Sequence, residues 1–324
     1  MKEKIKSYCN SIGIQEIGFV KCRRFDELIS FYNYRKENNL ENEFEESDIE
    51  KRINPKLYMN EGKTIISIAF PYLWNNDYVE NGFSKYTKGY DYHKVVKMHL
   101  DKICNMIIEA GGKAISLVDS NALPERYIAY LAGVGFIGKN NMIITKTHGS
   151  YVFLGEIITN LNLYDDDVRK FDEISKFKEC GECTICYKEC PTKAINEYKK
   201  NPNICTSYIT QKKELTDIEI KLLKDKIFGC DVCQNKCPYN ENISFSKIKE
   251  FKPLEFMENG KYEVYAEINN KAFKEKILPT SCGWRGKNII KRNAIIRLYN
   301  RGINIEKYKG DSPYLNKYIE ILNK

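Results

Sequence analysis

The chain is short of every feature that would tie it to a bilayer or to an oxidising compartment. No apolar run approaches the ~20 residues that a membrane helix requires, so bilayer insertion is not expected. The first residues, Met1-Lys2-Glu3-Lys4-Ile5-Lys6, hold neither an apolar signal core nor a twin arginine. The expected location is therefore cytoplasmic, where structural disulfides are rare. Histidine is scarce: the three, His93, His99 and His148, are too dispersed for a metal-ligand cluster and read as structural. The depletion that marks disorder is also missing, because 42% of the 324 residues are hydrophobic and 30% charged, enough for cores in two or three domains.

Cysteine is present in quantity. Eight of the twelve form a ladder, Cys180-x2-Cys183-x2-Cys186-x3-Cys190-Pro191, then Cys205, then Cys230-x2-Cys233-x3-Cys237-Pro238. A 4Fe-4S cubane needs four thiolates, and a tight Cys-x2-Cys-x2-Cys loop supplies three corners while its amides hydrogen-bond to the sulfides. In the bacterial two-cluster arrangement the cysteine before proline ligates the other cluster. That rule puts Cys180, Cys183, Cys186 and Cys237 on one cubane and Cys190, Cys205, Cys230 and Cys233 on the second. Cys205 stands in for a corner that the second half of the repeat lacks. Two all-cysteine zinc sites would use the same thiolates, but three ligands within seven residues and two Cys-Pro ends favour iron. The isolated Cys9, Cys22, Cys104 and Cys282 read as buried, inert thiols.

Charge is uneven. Lys271 to Lys309 contains eleven Lys or Arg against two Glu, so this stretch carries +9 and the remainder −1. Two thiolate-ligated cubanes, each about −2, would sharpen that polarity. A basic tail of this kind suits a phosphate-rich partner, and it also suits a solvated helix face.

Periodicity predicts a helix up to Gly13, a strand at Glu16 to Val20, a buried strand at Thr64 to Phe70 and an amphipathic helix over Asp91 to Ala110. A strand at Ala114 to Val118, a helix at Leu123 to Ala132 and a hairpin of Met142 to Thr145 with Tyr151 to Ile158 across His148-Gly149 follow. Residues 1–165 thus read as an α/β domain and 166–250 as a ferredoxin-like iron-sulfur domain. Residues 251–324 form a basic tail with helices at Asn288 to Tyr299 and Pro313 to Leu322. Gly133-x-Gly135-x-x-Gly138 matches the dinucleotide fingerprint, but it follows a helix rather than a strand, so the βαβ context fails. Asp119 follows a strand at the end where open α/β sheets bind ligands, with Ser120, Asn121, Glu125 and Arg126 beyond; it fits either a general acid or a helix N-cap.

The segments ESDIEKR (Glu46 to Arg52), VDSNALPERYIAYLAGVGFIGKNNMIIT (Val118 to Thr145), GSYVFLGEIIT (Gly149 to Thr159) and GWRGKNIIKRNAI (Gly283 to Ile295), with the two cysteine motifs, closely resemble the epoxyqueuosine reductase family. The resemblance implies an enzyme that reduces epoxyqueuosine at the tRNA wobble position to queuosine. It would use cobalamin fed by two 4Fe-4S clusters and a low-potential donor such as a ferredoxin or flavodoxin. It implies an N-terminal cobalamin domain like that of reductive dehalogenases and a short HEAT-like helical tail. The corrin would be base-off, and the Asp-x-His-x-x-Gly signature of histidine-on binding is absent. By position in the family motif, Asp119 would lie above cobalt and supply the proton, its pKa raised by burial. Arg52, Ile143, Leu154, Ser207, Cys230 and Asp231 would contact the corrin, and Lys213, Arg285, Lys287, Lys291 and Arg292 would meet tRNA. Rival readings are a reductive dehalogenase, a plain two-cluster electron carrier and an RNA-binding iron-sulfur protein.

Overall fold

The computed structural model describes residues 1–198 and 200–324. Its strands are β1 (Ile17–Lys21), β2 (Thr64–Pro71), β3 (Ala114–Leu117), β4 (Phe136–Ile137), β5 (Ile143–Ile144) and β6 (Val152–Thr159). A four-stranded sheet runs in the order β1-β2-β6-β3, and every pairing in it is antiparallel. β2 is buried at every position, because helices cover both faces. On one face Ile66, Ile68, Phe70 and Ile157 pack against α1 (Lys2–Ser11) and α2 (Tyr92–Glu109). On the other, Ile65, Ala69 and Ile158 pack with α3 (Glu125–Leu131). The alternation follows from the two-residue period of a strand.

Two expectations need correction. Met142 to Thr145 does not form a hairpin with the strand after it: β5 pairs with β4 in a separate ribbon, while β6 goes to β2 and β3. The glycines explain the ribbon. Gly133 adopts φ +72° after α3, and a Cβ on Gly135 would come within 2.6 Å of the Ile144 carbonyl oxygen. The dinucleotide-like glycines therefore close a turn on β5. The crevice rule for parallel sheets does not apply to an antiparallel sheet either, and Asp119 is not a helix cap, since α3 starts at Glu125 after Pro124.

The cysteine segment carries α4 (Ile185–Glu189) and α5 (Val232–Asn235), one in each motif, which pack on each other. The last two long helices, α6 (Lys287–Asn300) and α7 (Pro313–Leu322), do not stand apart as a tail. They share one apolar cluster with Ile209, Leu223, Ile227 and Phe228 from the cysteine segment. No helix among the described residues is long and apolar enough to cross a membrane.

Candidate active site

Asp119 lies near the start of the loop that leaves β3, at φ +49°, a left-handed conformation that costs an L-residue about 1–3 kcal/mol. Strain at this position persists because the carboxylate is fixed from α2. Tyr92 donates its hydroxyl to Asp119 Oδ2 at 2.7 Å, and His93 Nε2 lies 3.0 Å from the same oxygen. The other imidazole nitrogen, Nδ1, faces Asp91 Oδ1 at 2.8 Å. Asp91 in turn caps α2 by accepting from the His93 amide. With a carboxylate at each ring nitrogen, only the imidazolium satisfies both partners. Burial works against that charge, but the hydrogen bonds and charges of Asp119 and Asp91 raise the His93 pKa to about 9.

The same geometry corrects the expected titration of Asp119. Burial pushes the carboxyl up, yet the hydrogen bonds from His93 and Tyr92 outweigh it and hold the carboxyl below the ordinary aspartate value. The side chain is 55% exposed although protein crowds round it, which describes a group at the floor of a cleft. At neutral pH the proton of this row therefore sits on His93. Nothing local marks that role, because a histidine in an amphipathic helix looks structural until its neighbours in space are known.

The eight ladder cysteines gather into two groups. Cys180, Cys183, Cys186 and Cys237 line one cavity of about 260 Å³ together with Lys139, Ile144 and Tyr239. Cys233 is surrounded by Cys230, Cys205 and Cys190, whose charges add to burial in raising its pKa. Backbone N–H groups point at the sulfurs. The Lys139 amide donates to Cys180 Sγ at 3.5 Å, and those of Thr192, Ala194 and Ile195 reach Cys190, where they overcome burial and lower the thiol's pKa. Cys205 receives the amides of Ser207 and Tyr208. Such a cradle is what cluster thiolates require. No three His, Cys, Asp or Glu side chains converge on a single-ion site among the described residues; the thiols ring larger spaces. Lys139 and Asn140, at the tip of the β4–β5 ribbon, also bind the cysteine loops. Lys139 Nζ donates to the Gly181 and Cys183 carbonyls at 2.7 and 3.1 Å, and Asn140 Nδ2 to the Cys233 carbonyl at 3.3 Å.

Two family models match: a 4Fe-4S double cluster binding domain over residues 179–240, and "Epoxyqueuosine reductase QueG, DUF1730" over residues 52–120. An epoxyqueuosine reductase of Lactococcus garvieae is 34% identical over 93% of this chain and 87% of its own length. One from Listeria monocytogenes is 36% identical over 92% of this chain and 80% of its own. The chain belongs to the epoxyqueuosine reductase family. A solved selenomethionine-labelled epoxyqueuosine reductase superimposes with a TM-score of 0.88 at 32% identity, covering 99% of this chain and 89% of that one. Another, solved with an epoxyqueuosine-modified tRNA-Tyr stem loop, gives a TM-score of 0.85 at 31% identity, covering 100% of this chain and 99% of that one. A third, from Bacillus subtilis, has a TM-score of 0.88 at 31% identity over 99% of this chain and 89% of that one, and was captured with its catalytic aspartate loop swung out of the active site.

Within this epoxyqueuosine reductase fold, the residues expected at the corrin and the tRNA differ in how free they are. Ile143 is buried in β5 and Leu154 is half-buried in β6. Arg52 lies over the Tyr32 ring at 4.0 Å and pairs with Glu41 and Glu45, each at 3.3 Å. Ser207 begins the turn after Cys205, and Cys230 is half-buried among its fellow thiols. Asp231 is committed inward, to the Ser84 hydroxyl and, at 2.8 Å, to the Lys85 amide. Lys213 is exposed and Lys291 is half-buried, while Lys287 donates to Asn270 Oδ1 at 2.6 Å. Arg285 lies between Phe44 and the exposed Trp284, with Nε and Nη2 without a hydrogen-bond partner among the described residues. Arg292 is a correction: it is 0% exposed. It donates to the Lys212 and Lys213 carbonyls and to the Tyr314 hydroxyl at 2.7–2.8 Å. Buried on the inner face of α6, it holds the fold together and does not meet RNA.

Proposed function

We propose that this chain reduces epoxyqueuosine in the tRNA anticodon to queuosine. Electrons would come through two 4Fe-4S clusters from a low-potential donor such as a ferredoxin or flavodoxin, with cobalamin as the reacting cofactor. One observation carries the reading: the chain is 34–36% identical over more than nine-tenths of its length to epoxyqueuosine reductases, and its eight ladder cysteines gather into two groups. Of the histidines, His93 is held between two aspartates, His99 Nδ1 meets the Tyr8 hydroxyl at 2.7 Å, and His148 Nδ1 meets Glu16 at 3.1 Å. Arg52, Ile143, Leu154, Ser207, Cys230 and Asp231 would hold the corrin. When bound, the corrin supplies low-valent cobalt, and the cubanes supply electrons one at a time.

The protein's own contribution is the proton. As the epoxide C–O bond breaks, the oxygen takes a proton that begins on His93 and passes through the ionised Asp119 carboxylate. His93 carries that proton below its raised pKa and loses it as pH rises through about 9. Turnover should therefore fall on an alkaline limb centred near 9, and His93→Gln should remove that limb while lowering the plateau. A limb unchanged in His93→Gln would assign the titration elsewhere. The whole reading is tested by anaerobic turnover of an epoxyqueuosine-bearing stem loop, with nucleoside mass analysis for loss of one oxygen atom and absorption spectra for corrin and iron-sulfur bands.

Phosphate contact falls to Lys213, Arg285, Lys287 and Lys291. Replacing each by Gln should lower the slope of log affinity against log salt by about 0.7–0.9 for every true phosphate contact. Arg292→Gln should leave that slope alone and instead lower the melting temperature, since each buried partner left unpaired costs about 1–3 kcal/mol. A change in slope at Arg292 would reverse the assignment.

A further inference from the structure

Behind Asp119 lies a pair of acidic side chains that the chemistry above does not use. Glu156 sits on β6 opposite Ser67 of β2 and Leu117 of β3, is 0% exposed, and leaves Oε2 without a hydrogen-bond donor among the described residues. Its other oxygen accepts from the Ser67 hydroxyl at 3.4 Å. Glu125, the first residue of α3, faces Glu156, and each carboxyl acts on the other's titration. Its Oε1 accepts the backbone N–H of Asp119 at 2.8 Å and the side-chain amide of Asn121 at 2.8 Å. The left-handed residue that carries the proton donor is thus tied by its own amide to Glu125.

Two facing carboxylates, one of them fully buried, repel unless a proton lies between them. The other charged or titratable groups facing the pair are Asp119 from the loop, Tyr92 from α2 and Arg126 from α3. Only Arg126 is cationic, and it acts on Glu125. Glu125 has two N–H donors and Glu156 only a distant hydroxyl, so the charge belongs on Glu125 and the proton on Glu156. Burial and the neighbouring carboxylates push both pKa values up, that of Glu125 to about 7.

We propose that Glu125 and Glu156, joined by one shared proton, are positioning residues that hold the Asp119 loop in its inward conformation. Neutral Glu156 donates to ionised Glu125, which fixes the oxygen that receives the Asp119 amide. The pair carries two protons at low pH; Glu125 gives up its own as pH rises through about 7, which creates the shared-proton state, and Glu156, whose pKa burial and Glu125 raise further, keeps the other. Below about pH 7 Glu125 is neutral and holds the Asp119 amide less tightly. A related enzyme was solved with its catalytic aspartate loop swung out of the active site, so a loop of that kind has a second resting place. The inference rests on the proposed role of Asp119 only for its effect on turnover; the effect on the loop stands without it.

The test is amide hydrogen exchange of the 118–123 segment in anaerobically prepared holoenzyme, followed by mass spectrometry between about pH 6 and 9 and corrected for intrinsic rates. Wild-type protection should rise as pH passes about 7. Glu125→Ala and Glu156→Leu should exchange about tenfold faster or more at pH 8, the size expected from losing one hydrogen bond to a charged acceptor. Glu156→Gln, which still donates but cannot ionise, should restore protection and keep its rise near pH 7, because the donated bond that lowers the pKa of Glu125 is retained. In turnover, Glu125→Ala should lower kcat with little change in KM for the stem loop. Asp119→Ala keeps its backbone amide and should keep the protection, so an active Asp119→Ala variant would dismiss the proton-donor reading without touching this one. Protection that is independent of pH in the wild type, or equal in Glu156→Leu and Glu156→Gln, would overturn the shared proton.

Discussion

Asp119→Ala is expected to retain both iron-sulfur clusters and tRNA affinity while kcat falls by about 10²–10⁴-fold, the usual contribution of a positioned general acid. The reason lies in the row Asp91–His93–Asp119. Without the second carboxylate, His93 loses the stronger of the two partners that raise its pKa and falls back toward neutrality at working pH. The substitution therefore removes both the donor and the charge on its supply. Asp119→Asn separates the two effects, since an amide still accepts from Tyr92 but no longer stabilises the imidazolium. It should lose activity almost as fully and shift the His93 titration downward by NMR. Asp119→Gly should be equally inactive but slightly more stable, because glycine relieves φ +49°. Turnover of Asp119→Ala within about threefold of wild type would remove the residue from the chemistry.

How much of this was legible beforehand depends on whether a feature is local. The eight cysteines, the amphipathic α2 and the runs that became β2 and β6 are written in spacing and periodicity, and the structure has them within a residue or two. Strand pairing was not legible. Thr64 to Pro71 is apolar but for Thr64 and Ser67, which reads as a buried strand without saying how it pairs, since the same pattern arises in a parallel sheet and when helices cover both faces of an antiparallel one. The β4–β5 ribbon was hidden because its strands have two residues each. At the site, Asp119 was found through its motif, but His93 lies 26 positions away and becomes chemical only when α2 folds against the β3 loop. Arg292 failed in the opposite direction. Helical period predicts which residues share a face, but Arg292 and Arg297 are cations on the buried face of α6, where basic composition alone suggests solvent or RNA.

The second large effect is expected at the cysteines, where it also decides the ligand allocation. Any single substitution among the eight should lower iron from about eight to about four atoms per chain and abolish turnover. Pairs of substitutions distinguish a crossed arrangement from a sequential one. Cys237 is electrostatically coupled to Cys180 and Cys183 rather than to its sequence neighbours Cys230 and Cys233, so Cys180→Ala with Cys237→Ala should still leave about four iron atoms. Cys180→Ala with Cys190→Ala should leave none, since each residue belongs to a different group. A sequential arrangement gives the reverse result. The structural consequence follows from burial. Between residues 171 and 205 only Cys190 and Ala194 are buried among the described residues, so this stretch has almost no apolar core of its own. Its order must come from metal–thiolate bonds, as in other small metal-dependent folds. Loss of the cluster on Cys180, Cys183, Cys186 and Cys237 should therefore open the segment to limited proteolysis near Phe177 to Lys188, while the sheet and its helices, with cores of their own, remain resistant. Cleavage inside the β2–β6 sheet at the same protease dose would mean that the clusters support the whole chain rather than this segment.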